Sequence, residues 1–119
     1  MKRLAAGIGL AAVLLIASSG QASTVPSQVV AGGYQYLPTV IVLQSGASLS
    51  FTNLDTALHS VTSTDADPDT GRPLFDSGLT SLGSTRAVSR ADRLAPNLSG
   101  YAFRCQLHPS MTGTLIVTA

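Results

Sequence analysis

The segment FRCQLHPSM, Phe103 to Met111, holds the chain's single cysteine, one of its two histidines and one of its two methionines. Cys105, His108 and Met111 are spaced as C-x-x-H-x-x-M. Thiolate, imidazole nitrogen and thioether sulfur are all metal donors, and one tight loop can aim all three at a single point. The other histidine, His59, lies 46 positions before Cys105. Loop closure costs little more as the loop lengthens, so a folded chain can bring His59 alongside. Two imidazoles, a thiolate and a weak thioether suit one mononuclear copper ion. Soft sulfur favours Cu(I), imidazole accepts Cu(II), and a compromise geometry leaves little to move when one electron enters or leaves. A bound metal deprotonates the thiol outright, and an apolar neighbour such as Phe103 keeps water off the sulfur. Apart from Met1, every His, Cys and Met in the chain belongs to this set. The plainer reading is a surface histidine, a core methionine and a buried cysteine, each ordinary by itself. Their joint placement favours a site, with His59, Cys105, His108 and Met111 as candidate metal ligands and no catalytic residue.

These four residues need a frame that converges. The chain has 119 residues, enough for one domain. It opens with Lys2 and Arg3, an apolar run from Leu4 to Ala17, and small residues at Gly20 and Ala22. That is the pattern of a secretory signal peptide over residues 1–22, and the run is short of the roughly 20 residues a bilayer span requires. The domain is then 23–119, exported to the periplasm or the cell exterior, with no membrane anchor after cleavage. Removing Lys2 and Arg3 leaves five arginines against six aspartates, so the formal charge moves from +1 to −1. Such a domain has no basic patch for nucleic acid. Extracytoplasmic cysteines usually pair, and Cys105 has no partner in its chain, which leaves an intermolecular bridge, a liability or a ligand.

Strand signals dominate the remainder. TVIVL (Thr39 to Leu43) is β-branched and apolar, SLSFTN (Ser48 to Asn53) alternates, and HSVT places His59 and Val61 on one face. YAFRC puts Tyr101, Phe103 and Cys105 on one side, and TLIVT covers Thr114 to Thr118. Weaker strands fall at Val29 to Ala31, Tyr34 to Tyr36 and Thr85 to Val88, with Gly and Pro turns between. Seven or eight short strands predict an all-β fold, an antiparallel sandwich with Greek-key links. Pro109 ends the strand carrying Cys105, and Gly113 lets the chain turn back into the last one. The irregular piece Thr64 to Ser84 crosses between sheets or caps one end.

On these residues the chain resembles the cupredoxins, in particular the small plastocyanin and amicyanin type. YQYLPTVIVLQSGASLSFTNLDTALHSVTS is similar to the family's first half, LFDSG to a recurrent middle stretch, and SGYAFRCQLHPSMTGTLIV to the ligand loop and last strand. The two residues between His108 and Met111 resemble the short amicyanin loop. The resemblance implies a Greek-key sandwich holding one type 1 (blue) copper, with His59, Cys105 and His108 equatorial and Met111 axial. It implies a monomeric electron carrier whose transient redox partners dock near His108, Leu107 and Pro109. One departure stands out: many members carry Asn after the first histidine, tying the two ligand loops, and this chain has Ser60. The side-chain tie is therefore expected to be weaker or different, and Arg104 to point away from the metal.

Other readings use the same residues. A copper chaperone or storage protein needs the same donors in an open, exchangeable site. A metal-free secreted β-module makes Cys105 incidental. Asp65, Asp67, Asp69 and Asp76 sit at positions 1, 3, 5 and 12 of an EF-hand-like loop, but Gly71 is one place late, Pro68 intrudes and the last ligand is not Glu. An enzyme is not expected. A second copper centre needs further histidines, and without Glu, and with its one Lys in the leader, the domain has few general acids and bases.

Overall fold

The computed structural model describes residues 27–119. The expected leader, 1–22, lies outside the described residues. Eight strands form: β1 (Ser27–Gly32), β2 (Gln35–Leu37), β3 (Val40–Gln44), β4 (Leu49–Asn53), β5 (Thr62–Ser63), β6 (Thr85–Ala87), β7 (Asn97–Arg104) and β8 (Thr112–Thr118). They make two four-stranded sheets, in the order β2-β1-β4-β6 and β3-β8-β7-β5. This is the expected β-sandwich. Each sheet also contains one parallel pair, β1 with β4 and β3 with β8, so antiparallel describes most of the pairing but not all.

Period-two patterning decides which way each strand faces. In β3, Ile41 and Leu43 are buried while Val40 and Val42 are exposed; in β4, Leu49, Phe51 and Asn53 are buried. Facing residues Val29, Ala31 and Phe51 from one sheet meet Leu43, Phe103, Leu115 and Val117 from the other. Tyr36 stands edge-on to Phe103 with ring centroids 4.8 Å apart, and Phe75 packs on the same ring at 6.3 Å. Edge-to-face pairs of this kind add about 0.5–1.5 kcal/mol each beyond the area they bury.

Two local features aim the loops. Between β3 and β4, Ala47 N–H donates to the Gln44 carbonyl across a turn whose third residue, Gly46, has φ 89°. That left-handed backbone is open to glycine at no steric cost. At the start of β8, a Cβ on Gly113 would lie 2.4 Å from the Phe103 ring and 2.9 Å from the Thr39 carbonyl. Gly113 therefore serves close packing rather than turning.

Two sequence readings shift. HSVT is an extended segment, but only Thr62–Ser63 forms a strand, and His59 makes a single bridge to Thr80. Residues 59–63 are all buried, so the segment has no solvent face for alternation to mark. Strand β7 begins at Asn97 rather than Tyr101, with an irregularity in its pairing between those residues. The segment 64–84 does link the second sheet to the first, pinned along its course by short bridges at Ala66–Pro73 and Asp76–Ser89.

Candidate metal centre

His59 is presented by a loop that Asn53 organises. The buried Asn53 amide donates to the carbonyls of Ala57 and Thr80, at 2.9 and 2.8 Å, and its oxygen accepts from Asp55 N–H. The His59 backbone is held at both ends by Thr80. Cys105 follows the last residue of β7. Its N–H donates to the Met111 carbonyl, and Met111 N–H donates to the His108 carbonyl. The seven residues 105–111 are thus stapled into one closed loop.

The expected convergence occurs. Cys105 Sγ lies 3.7 Å from His59 Nδ1 and 3.5 Å from His108 Nδ1. Ligand atoms of all three residues lie within 4.8 Å of one another, and among the described residues this is the one trio of His, Cys or acid so placed. Cys105 and His59 are fully buried, Met111 nearly so, and His108 half-buried. Met111 is brought beside them by its backbone, whose carbonyl accepts from Cys105 N–H and whose N–H donates to the His108 carbonyl. The spacing fits a metal ion: with legs of about 2.3 Å to sulfur and about 2.0–2.1 Å to nitrogen, the 3.5 and 3.7 Å separations correspond to angles of about 107° and about 117° at the ion. That lies in the tetrahedral-to-trigonal range. The Asp65, Asp67, Asp69 and Asp76 set does not converge; Asp67 faces Arg90 at 3.5 Å and Asp76 bonds Thr62.

Two residues that sequence reasoning did not single out complete the surroundings. Asp55 Oδ2 lies 2.8 Å from His59 Nε2, so the imidazole is gripped on the side opposite the sulfur. Both Asp55 oxygens also accept backbone N–H groups, from Gly33 and Tyr34. The Tyr34 N–H holds the Asp55 carboxyl below the usual carboxylate range, against the opposing effect of partial burial, and Gly33 N–H and the His59 ring add to it. A carboxylate behind a ligating histidine fixes its tautomer and ring plane. Tyr34 stands edge-on to both imidazoles, at 5.1 Å from His59 and 4.9 Å from His108, on a left-handed backbone with φ 59°. A non-glycine residue in that conformation is uncommon and is held only where its surroundings dictate it. The one sequence signal was an acid four places before a candidate ligand, which in a loop says nothing about direction.

Ser60 does supply a side-chain tie. Its Oγ accepts from Gln106 N–H at 3.0 Å, joining the His59 segment to the residue after Cys105. The Tyr36 hydroxyl donates to the Ser60 carbonyl from within the core. Desolvation pushes the Tyr36 phenol well above its ordinary range, and the nearby Cys105 adds to the effect.

No family model and no curated protein matches the chain. Solved structures do. A reduced amicyanin variant superposes with TM-score 0.63 at 16% identity, over 77% of this chain and 81% of that one. A second amicyanin variant gives 0.62 at 16%, over 80% and 82%. The copper-containing nitrite reductase from Thermus scotoductus gives 0.63 at 21%; this chain spans 23% of its length. The described residues therefore share the fold of the cupredoxin sandwich, and His59, Cys105 and His108 converge within it.

Proposed function

We propose that this protein carries single electrons between redox partners outside the cytoplasm, using one type 1 copper held by His59, Cys105, His108 and Met111. The observation that carries the reading is the convergence of two imidazole Nδ1 atoms on one buried thiol, at 3.5 and 3.7 Å. Bound copper supplies a one-electron couple between Cu(II) and Cu(I). The chain supplies everything else. Asp55 holds the His59 ring from behind, the 105–111 staple fixes the loop, and Phe103, Tyr36 and Phe75 fill the space beneath it.

Burial separates a carrier from a delivery protein. An exchangeable site presents its donors to the partner that takes the metal, whereas Cys105 and His59 have no exposed surface. His108 is the half-buried ligand, and its Nε2 edge lies on the far side of the ring from the sulfur. That edge is the electron port. Around it Tyr34 and Leu107 are 54% and 52% exposed and Pro109 is exposed too, an apolar rim suited to brief redox encounters. The chain has two histidines and both face this centre, which leaves none for a second copper and favours a carrier over an enzyme. Residues 1–22 read as an export signal, and among the described residues no helix is long and apolar enough to cross a membrane.

The test is to add Cu(II) to the purified protein and record its visible spectrum. An intense blue thiolate-to-copper band is expected, and it should vanish in Cys105→Ser. A colourless complex that prefers Zn(II) would overturn the reading.

A further inference from the structure

The Ser60 tie does not end at Ser60. Ser60 Oγ lies 2.8 Å from Thr62 Oγ1, and Thr62 Oγ1 donates to Asp76 Oδ1 at 2.8 Å. Gly78 N–H donates to the same Asp76 oxygen at 2.9 Å. Ser60 is fully buried and Thr62 nearly so, while Asp76 reaches the wall of a cavity of about 550 Å³ that Arg72, Arg86 and Arg90 also line. A buried chain of three hydrogen bonds therefore runs from the backbone beside Cys105 to a carboxylate near the surface.

The chemistry of its ends fixes its direction. Asp76 Oδ1 is an acceptor that also takes the Gly78 N–H, so the Thr62 hydroxyl proton points at it. Thr62 Oγ1 then offers Ser60 a lone pair, and the Ser60 proton points at Thr62. That leaves a Ser60 lone pair facing Gln106, whose N–H can only donate. Every donor meets an acceptor in one order: Gln106 N–H to Ser60, Ser60 to Thr62, Thr62 to Asp76. Without the carboxylate the last hydroxyl proton has no acceptor at its end. The chain can then reverse, and the Ser60 proton competes with Gln106 N–H for the same space.

We propose that Asp76 is a positioning residue for the metal centre, setting the sense of the Thr62–Ser60 hydroxyl chain that holds the backbone after Cys105. This rests on the reading of Cys105 as the copper thiolate, but the chain itself can be tested apart from it. Both bonds to Asp76 use one oxygen, so Asp76→Asn keeps an acceptor in place, whereas Asp76→Leu removes it. Thr62→Val breaks the chain one link nearer the loop.

The measurement is amide hydrogen exchange at Gln106, by NMR on the purified protein before and after loading with Cu(I), with amides of the β1–β4 pair as the control for overall stability. Asp76→Leu and Thr62→Val should each speed Gln106 exchange by at least about fivefold beyond the control, the size expected for losing one buried hydrogen bond. Asp76→Asn should stay within about twofold of the parent on the same scale. In the copper form, the reduction potential and the thiolate band should move in Leu and Val and return in Asn. Gln106 exchange that follows the control in both Leu and Val overturns the proposal. A parent protein that takes up no copper but shows the expected exchange pattern would sink the copper reading and leave standing only the hold of Asp76 on the Gln106 backbone.

Discussion

At the scale of single residues, one carboxylate orients a candidate ligand: Asp55 Oδ2 lies 2.8 Å from His59 Nε2 while both Asp55 oxygens take backbone N–H groups. Cys105, His108 and Met111 announce themselves by chemical type and spacing, and His59 by being the one other imidazole. Asp55 carries no such mark, because its role comes from the direction a loop gives it and from two backbone donors that no side-chain pattern encodes. Its geometry makes a sharp prediction. Asp55 Oδ2 accepts from Tyr34 N–H and contacts His59 Nε2 together, so in Asp55→Asn an amide NH₂ that takes this place meets two donors. Copper affinity, read by competition with a chelator, should fall about 10- to 100-fold, the usual loss when the partner of a ligating histidine is spoiled. An unchanged affinity would show that the 105–111 loop alone positions the metal.

At the scale of elements, alternation located the strands and missed what had no alternation to show. The strands β3, β4 and β8 follow their apolar period, and each was expected within a residue or two. The segment 59–63 is buried on both sides, one toward the core and one toward a hydroxyl network, so hydrophobic spacing could not tell a strand from a strapped loop. The parallel pairings were equally silent, since a strand's period is the same whichever way its neighbour runs. Gly113 has a different kind of message. Sequence suggests a turning residue, whereas the structure shows a place where Phe103 and Thr39 leave no room for a methyl group. Gly113→Ala should destabilise the fold by about 1–3 kcal/mol, as forced overpacking does. Urea unfolding would detect it as a lower midpoint with an unchanged slope. Because Phe103 must then shift, the thiolate band should move as well.

At the scale of the whole molecule, one buried phenol links stability to alkali. Tyr36 has no exposed surface, and its hydroxyl proton is committed to the Ser60 carbonyl. Burial raises its pKa above the unfolded value, so its contribution to stability is complete below the unfolded pKa of about 10 and is lost as pH rises beyond that. Between pH 8 and pH 11 the parent should lose roughly 1 kcal/mol more unfolding free energy than Tyr36→Phe does. Tyr36→Phe itself should begin lower at pH 8, because the Ser60 carbonyl loses a buried donor, at about 1–3 kcal/mol. Parallel losses in the two proteins would mean that the phenol ionises as readily in the fold as out of it.

The position of β8 has a consequence for assembly. Ile41 and Leu43 pair in parallel with Leu115 and Val117, across most of the length of the domain, and β8 also provides the other neighbour of β7. The loop that carries three of the four candidate ligands is the link between β7 and β8. Closing that link and zipping the second sheet are one event, and contacts so distant along the chain are slow to form. Until then Cys105 lacks the burial that the finished fold gives it, and its thiol stands open to solvent. Protecting it during biogenesis is thus a race against the clock, decided by how fast the most remote strands find each other.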